Sequence, residues 1–389
     1  MSRQAGGGWT FASAALTFGA VYLAAGALMP LMVVYRERWA LSAAAMTLAF
    51  AVFAVGFLAA ILTLGSLSDR IGRRPVLIGA LLIQIGSIVM FLVAPSVGWV
   101  IGARVVQGFA TGVATPAFTA ALVELAPSGR KPLGAMIGSV SLTGGLAVGS
   151  LLAGLIVQLS AHANAVIFLA LAVITGGGIG AVASWREPLA RAAGVKRERG
   201  PRLAVPHGAR AEFTAAVPVL ASVWMVSGLS GGIAPSLVRS VFGVNSGLLN
   251  GLSGFVAPAA SAVVGVAVVR AEPRRVMVIG ILTSVVGTAG IVVGVLTGQL
   301  ATMIVGQAIA GVGFGASFTA ALRLIMPLAK EHERAGLAAA IYLVSYTAFG
   351  VPMVLAGQAT SAYGTGPTIV WFGVVACALA LVGLRHNAK

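Results

Sequence analysis

The segment from Gly65 to Pro75 reads Gly-Ser-Leu-Ser-Asp-Arg-Ile-Gly-Arg-Arg-Pro. It separates an apolar segment that ends near Leu64 from another that begins at Val76. Its charged side chains cannot enter hydrocarbon cheaply, because a charge at the bilayer centre costs at least about 3 kcal/mol. The sequence therefore predicts a short, tight loop on the water side of two membrane helices. Lys and Arg in short loops stay in the cytoplasm, so the basic excess places this loop on the cytoplasmic side.

The composition of the whole chain indicates a membrane protein. Of its 389 residues, 59% are hydrophobic and only 9% are charged. A soluble domain is about 25% charged, so this chain has too little polar surface to cover a soluble core. The net charge of +16 does not indicate nucleic-acid binding, because the basic residues fall in short loops and not along one face. We expect a lipid bilayer, and no nucleic acid, as a partner.

Windows of about 20 apolar residues locate the membrane helices. The predicted spans are 12–34, 43–64, 76–94, 98–123, 133–158, 164–184, 214–236, 246–269, 276–296, 300–325, 336–358 and 366–385. Twelve spans place both termini on one side. On that side lie all Lys and Arg residues except Arg36, Arg38, Arg104 and Arg239. We therefore expect a multi-pass protein of the inner or plasma membrane with both termini in the cytoplasm.

One long polar stretch divides the chain into two halves. Residues 185–213 are basic, contain three prolines and show no apolar periodicity. They are predicted to form a flexible cytoplasmic linker between an N-terminal bundle, 1–184, and a C-terminal bundle, 214–389.

The two halves resemble each other in sequence. The five residues from Phe118 to Leu122 recur identically from Phe318 to Leu322, and Gln107 recurs as Gln307 at the same offset of 200 residues. Parallel repeats of six helices are related by an axis along the membrane normal. The predicted fold is thus an all-α membrane protein with two six-helix bundles related by a pseudo-two-fold axis along that normal.

Two motifs carry a family resemblance. The residues Gly65, Asp69, Arg70, Gly72, Arg73 and Arg74 resemble, in type and spacing, the signature loop between the second and third helices of the major facilitator superfamily. The run from Arg104 to Gly108, Arg-Val-Val-Gln-Gly, resembles the fourth-helix motif of the same family. The resemblance implies a twelve-helix secondary transporter that works by alternating access. It also implies that the signature loop is a gating motif, with Asp69 in a cytoplasmic clasp between the halves.

The fifth predicted helix departs from one branch of this family. Many proton-driven drug exporters have Pro after a Gly at the position where this chain has Ser150 after Gly149. The glycine-rich face remains, so close helix packing is expected, but the exporter assignment is weakened. The second-half segment 269–275 keeps only a rough pattern of charges and lacks the glycines, and we assign it no function.

Arg104 is the first candidate for substrate binding or coupling. It lies inside a predicted span, and an ionisable residue within the membrane indicates a functional site. The alternative is an interfacial Arg whose head reaches the lipid headgroups.

Other polar or aromatic residues also lie midway along the predicted spans. They are Tyr22, Ser141, Thr143, Trp224, Ser227, Asn250, Ser253, Gln307, Phe314, Tyr342 and Tyr346. We expect Tyr22, Gln107, Gln307 and Tyr346, together with Trp224 and Asn250, to take part in substrate binding or coupling. For each of them, a packing contact between helices is the alternative.

The acidic residues bear on the substrate and on the coupling ion. All nine fall in predicted loops or at helix ends, so no carboxylate lies near a helix middle. Whether protons drive transport therefore stays open. A cavity without carboxylates offers a cation no counter-charge, so we expect a neutral or anionic small-molecule substrate.

These observations favour a secondary active transporter that exports a small, partly apolar compound. Uptake of a small metabolite, by proton symport or uniport, is the alternative within the class. A non-transporting membrane receptor or scaffold on the same fold is the alternative from another class. No catalytic triad, nucleotide loop or metal-ligand spacing is present in the sequence, so we expect no enzyme activity, no cofactor and no metal. We expect a monomer.

Overall fold

The computed structural model describes residues 2–127, 129–185, 203–330 and 333–387. Within these ranges, twelve helices are long and apolar enough to cross a membrane. The prediction of twelve spans is therefore confirmed.

The helices of the first half are α1 Ser2–Trp39, α2 Ala43–Leu64, α3 Leu67–Ile71, α4 Arg73–Leu92, α5 Val97–Leu125, α6 Lys131–Leu159 and α7 Ala163–Ala183. The helices of the second half are α8 Arg210–Gly228, α9 Ala234–Ser240, α10 Gly247–Ala267, α11 Pro273–Thr297, α12 Leu300–Ile325, α13 Arg334–Tyr363 and α14 Thr365–Asn387. Helices α8 and α9 form one membrane crossing, because the π-helical turn Leu229–Ile233 joins them.

Polar residues in the predicted loops cap the N-termini of several helices. The hydroxyl of Ser42 accepts the backbone N–H of Ala45 at the start of α2, and Ser246 accepts that of Leu249 at the start of α10. The carboxylate of Glu272 accepts the N–H groups of Arg274 and Arg275 at the start of α11. These N–H donors hold the pKa of the Glu272 carboxyl below its usual range. Such caps satisfy donors that have no partner within the helix.

The crossings alternate in direction, so the connecting segments lie on two faces. We call the face that carries residues 65–72, 126–127, 129–130, 268–272 and 326–330 the basic face. The other face carries residues 40–42, 93–96, 160–162, 241–246 and 298–299, and we call it the opposite face. Helices α1–α7 and α8–α14 form two bundles whose interface runs between these two faces.

The hydrophobic cores differ between the two faces. Near the opposite face, one continuous core joins both bundles and includes Tyr35 and Phe168 of the first and Leu237 and Phe372 of the second. Near the basic face each bundle has its own core: one contains Phe118, and the other forms around α8, α11, α12 and α13. The bundles therefore share their largest core at the opposite face, and towards the basic face they share a smaller cluster that includes Ile61 of α2 and Ala339 of α13.

Polar contacts between the bundles also lie towards the opposite face. Arg239 of α9 forms an ion pair with Glu37 of α1. The side-chain oxygen of Gln158 accepts the N–H of Gly247 at 2.8 Å, and the Ser150 hydroxyl donates to the carbonyl of Gly251 at 3.0 Å. These contacts fasten the last turn of α1 and the second half of α6 to the second bundle.

The seam between α6 and α10 depends on small residues. A Cβ added to Gly154 would approach the Cα of Gly251 to 2.6 Å, a distance that real Cβ atoms do not adopt. Two helix backbones can meet this closely only where both carry small residues. The expected close packing of the glycine-rich α6 is thus present: Gly154 packs on α10, whereas Gly145 and Gly149 pack on α1.

The seventh crossing begins earlier than the sequence predicts. A 3₁₀ turn at His207–Ala209 leads directly into α8, which begins at Arg210, whereas the predicted span begins at 214. The charged first turn of α8 does not resemble an apolar span, although its backbone is helical. At the other end of the predicted linker, the buried indole of Trp185 donates to the Ser13 hydroxyl at 3.0 Å. Residues 186–202 of that linker lie outside the described ranges.

Candidate substrate cavity and signature loop

The signature loop folds into a short helix between two sharp turns. After α2 ends, α3 covers Leu67–Ile71, and Gly72 separates it from α4. Gly72 has φ +104°, a backbone conformation that residues with a side chain rarely adopt. The glycine therefore allows α4 to begin immediately after α3, with Arg73 as its first residue.

Arg73 connects the loop to a neighbouring helix. Its side chain donates to Asp69 at 2.6 Å and to the Ser68 hydroxyl at 2.7 Å. It also donates to Glu124, in the last turn of α5, at 2.8 Å. The Arg73 side chain is buried, whereas those of Asp69 and Glu124 are partly exposed. These three charges fix α3 and α4 against the end of α5.

Arg74 has a counterpart in the second half. Arg74 donates to the carbonyl of Ala183 at the end of α7, the last helix of its bundle. Arg274 donates to Asn387 at the end of α14, the last helix of the second bundle, and also pairs with Glu212 at 2.5 Å. The segment 269–275 thus keeps an arginine that ties its bundle together, although it lacks the glycines of the first-half loop.

A cavity of about 100 Å³ lies between the bundles at mid-depth. Helices α1, α2, α5, α6, α8, α10, α12 and α13 and the π-helical turn all contribute to its wall. Both bundles therefore surround the same space. Of the predicted substrate or coupling residues, Tyr22, Arg104, Trp224 and Tyr346 line it, as do the midway residues Thr143, Ser227 and Phe314.

Arg104 is buried, with 3% of its surface exposed. Its Nε donates to the carbonyl of Ala49 at 3.2 Å, and its Nη1 donates to the Gln107 side chain at 2.7 Å. The guanidinium carbon lies 4.5 Å from the ring centroid of Phe53 and 5.4 Å from that of Phe50. Within the described part of the chain, Arg104 has no carboxylate partner and its Nη2 has no hydrogen-bond acceptor. Its charge is held by ring faces, an amide and a carbonyl.

The wall of the second bundle is aromatic. The ring centroid of Trp224 lies 4.8 Å from that of Tyr346 and 5.3 Å from that of Phe314. Tyr346 in turn stacks on Phe57 of the first bundle at 4.0 Å. The indole N–H of Trp224 is buried and has no hydrogen-bond partner. On the first bundle, the hydroxyls of Tyr22 and Thr115 share a hydrogen bond of 2.9 Å.

Three of the predicted residues lie outside the cavity wall. Gln107 is completely buried behind it and supports Arg104. Gln307 donates to the carbonyl of Ser253 at 3.1 Å and accepts the Ser253 hydroxyl at 3.3 Å, so it joins α12 to α10. Asn250 is buried on α10, and its side-chain oxygen has no partner.

Arg104 and Gln307 make the same kind of helix contact, one in each repeat. Arg104 bonds the carbonyl of Ala49 on α2, and Gln307 bonds that of Ser253 on α10. Residues 49 and 253 are related by roughly the 200 residues that separate the repeats, so the two carbonyls are equivalent. In the second bundle a glutamine makes this helix contact, whereas in the first bundle an arginine makes it. At the offset of 200 residues Arg104 corresponds to Ile304, so among the described residues of the cavity wall the charge comes from the first bundle.

Several cavity residues have no distinctive sequence signal. Met29, Phe50, Phe53, Ser230 and Phe349 line the cavity, yet each lies in a long apolar run that does not reveal which face is lined. The π-helical turn brings Ser230 and Gly231 to the wall, and the Ser230 hydroxyl is buried without a partner. Such turns often occur at functional sites. Pro235, one turn on, lacks the N–H that a regular helix would use here.

The chemistry of this cavity is that of binding. Within the described ranges, no three His, Cys, Asp or Glu side chains come close enough to hold a metal ion. The described residues of the cavity wall offer one fixed positive charge and several hydroxyls among aromatic and aliphatic groups, and the indole N–H of Trp224 is covered by protein atoms. Such a wall can bind and orient a small molecule.

Comparison with solved structures supports the fold. The chain superposes on a POT family transporter in complex with 5-aminolevulinic acid, with a TM-score of 0.78, 13% identity and coverage of 97% of this chain and 96% of that one. A POT family transporter with a thioalcohol-conjugated peptide gives a TM-score of 0.79, with the same identity and coverage. A bacterial homolog of the human lysosomal transporter Spinster, inward-facing and unoccupied, gives 0.76, with 15% identity and coverage of 98% and 97%.

The search of curated proteins found no match in sequence. The family model for the Major Facilitator Superfamily matches residues 14–270, which include the signature loop, the Arg104 motif and helices of both bundles. Together with the twelve crossings and the two-bundle fold, this match shows that the chain is a membrane transporter and belongs to the Major Facilitator Superfamily.

Proposed function

We propose that this transporter works by alternating access and exports a small, partly apolar, neutral or anionic compound. The observation that carries the proposal is the contrast between one large shared core at the opposite face and two separate cores towards the basic face, where a smaller cluster formed mainly by α2 and α13 also joins the bundles. A cavity lies between the bundles where these regions meet. This packing supports a state that is closed at the opposite face and less extensively packed towards the basic face, where α2 and α13 remain in contact.

In the proposed cycle, the protein alternates between this state and one that is closed at the basic face and open at the opposite face. The contacts Glu37–Arg239, Gln158–Gly247 and Ser150–Gly251 would break as the basic face closes. Each is a surface ion pair or a hydrogen bond and contributes only about 1 kcal/mol. These polar contacts can be exchanged for similar ones on the other face, whereas the apolar core shared at the opposite face must be replaced by apolar contacts at the basic face.

The signature loop is proposed to act as the gate of the basic face. Its charge network lies within the first bundle, with Arg73 between Asp69 and Glu124. The partly exposed carboxylate of Asp69 is oriented by Arg73 and lies at the end of a rigid helix. Closure of the basic face would bring this end against the second bundle, so Asp69 is proposed to belong to the clasp in that state.

Arg104 is proposed to be the substrate anchor. Among the described residues it is the only charged one in the cavity wall, and none of their carboxylates neutralises it there. A permanent cation would meet an uncompensated positive charge, whereas an anion would supply the missing counter-charge. Within the described structure the cavity wall contains no carboxylate that could carry a proton, so we assign no coupling ion.

Flux in proteoliposomes tests the proposal. Purified protein is screened by thermal shift against a panel of metabolites and drugs, and the stabilising compound is then measured in saturable flux against protein-free liposomes. A compound that binds without crossing would favour the receptor or scaffold. Cells that express the chain should accumulate less of the compound if it is exported, and more if it is taken up.

A further inference from the structure

The donors and acceptors of the cavity are unbalanced. Arg104 Nη2 and the Trp224 indole N–H are donors that have no acceptor within the described structure, and neither group can accept a hydrogen bond. Of the two, the indole nitrogen is covered by protein atoms. A buried donor without an acceptor destabilises the site until a ligand or water supplies one. The ligand of this cavity must therefore bring acceptors, and the one facing Arg104 is favoured if it is anionic.

These two donors belong to different bundles. Arg104 lies on α5 against the Phe53 ring, and Trp224 lies on α8 against Tyr346. The rings of Phe53 and Tyr346 lie between them, with centroids 6.3 Å apart. A ligand that reaches both donors must pass along aromatic surfaces, where a flat ring packs better than a flexible chain.

We propose that the substrate is a small aromatic monocarboxylate that carries a second hydrogen-bond acceptor at the far end of its ring. The carboxylate binds Arg104, and the second acceptor receives the Trp224 N–H. The ring lies among Phe53, Tyr346 and Phe314. This inference rests on the proposed function, since it takes this cavity to be the transport site. It also makes the ligand a bridge between the bundles.

Binding of 4-hydroxybenzoate to the purified full-length chain tests the inference. The comparison ligands each change one property: 4-hydroxybenzyl alcohol lacks the charge, trans-4-hydroxycyclohexanecarboxylate lacks the flat ring, benzoate lacks the second acceptor, and (4-hydroxyphenyl)trimethylammonium reverses the charge. We expect 4-hydroxybenzoate to bind about tenfold or more tightly than the alcohol and the cation, as expected for a charge-assisted pair. We expect a weaker preference over the other two acids.

Two variants test which protein group binds each end of the ligand. Arg104→Lys keeps a charge but loses the planar fork, so it should weaken both aromatic acids about tenfold and leave the alcohol unchanged. Trp224→Phe keeps a ring but removes the N–H, so it should weaken 4-hydroxybenzoate about fivefold and leave benzoate unchanged. Trp371→Phe, at an exposed position, is the matched control and should change neither.

The inference would be overturned by equal binding of acid and alcohol, by preference for the cation, or by loss of benzoate and 4-hydroxybenzoate affinity to the same extent in Trp224→Phe. Absence of binding by every aromatic acid would also overturn it. The proposed function is tested separately, because alternating exposure of the cavity can be measured without any ligand. A cavity that alternates but binds none of these acids would refute the substrate class alone.

Discussion

Individual charged residues divide into those that hold a bundle together and those that are proposed to move with the cycle. Arg73 and Arg274 are of the first kind, because each joins several helices of one bundle. Asp69 is of the second kind in our account, although it also bonds Arg73. We expect a variant at either type of residue to lower transport, so the melting temperature must be measured together with the flux.

Asp69→Asn should lower flux severely, by about tenfold or more, because the closed basic face loses a charged contact and becomes less populated. Substrate affinity and expression should stay within a few-fold of those of the parent chain. Flux in proteoliposomes and binding in detergent are the two measurements. Glu124→Gln, which removes the other carboxylate on Arg73, is the comparison and should mainly lower the melting temperature. Normal flux in Asp69→Asn would leave the loop with a role in topology only.

Arg104→Ala separates an anchor from a structural residue. An anchor predicts loss of substrate-induced thermal stabilisation with a melting temperature of the empty protein close to that of the parent chain. A structural residue predicts a lower melting temperature, because Ala49, Gln107 and Phe53 would lose their shared partner. Unaltered binding and flux would exclude both the anchor and a coupling role.

The seam between α6 and α10 is the element on which closure of the opposite face depends. Gly154→Leu should prevent this closure, because even a Cβ at Gly154 would come within 2.6 Å of the Gly251 Cα. Double-label distances across the opposite face should then lengthen and flux should be lost. Gly176→Leu on α7 is the matched control, because its Cβ would meet no atom within 4 Å. Unchanged distances in Gly154→Leu would show that this seam does not set the closed state.

The start of α11 should respond to acid. The Glu272 carboxylate accepts two backbone N–H groups, and its pKa is depressed in the folded chain. Its contribution to stability is therefore present at neutral pH and is lost as the pH falls through the folded pKa. Glu272→Gln should lower the melting temperature at pH 7 and have less effect at pH 4. An equal effect at both pH values would contradict capping by the carboxylate.

At the scale of the whole molecule, the basic residues predict the orientation. Positive charges in short loops stay in the cytoplasm, so the basic face and both termini should be cytoplasmic. Reporter fusions after residues 200 and 389 should both give a cytoplasmic signal. A periplasmic signal from either fusion would require a different layout.

The sequence predicted the twelve crossings because each is a long apolar run between polar turns, and only boundaries such as the charged first turn of α8 were displaced. It also identified Arg104 and Trp224, because polar groups stand out within apolar helices. It did not identify Phe50 or Phe53, because the sequence of an apolar run does not indicate on which helix face an aromatic residue lies. Gln307 was expected at the site, yet it bonds α10.

The central claim is that the cavity opens to each face in turn, and a single cysteine measures this most directly. The chain has one cysteine, so Cys377→Ser gives a cysteine-free background. In that background, Ser227→Cys places a thiol in the partly exposed cavity wall. Our account predicts that a membrane-impermeant maleimide labels it from either side of the membrane, with the Gly154→Leu variant labelled only from the opposite face. Labelling from one side alone, unchanged in that variant, would contradict alternating access.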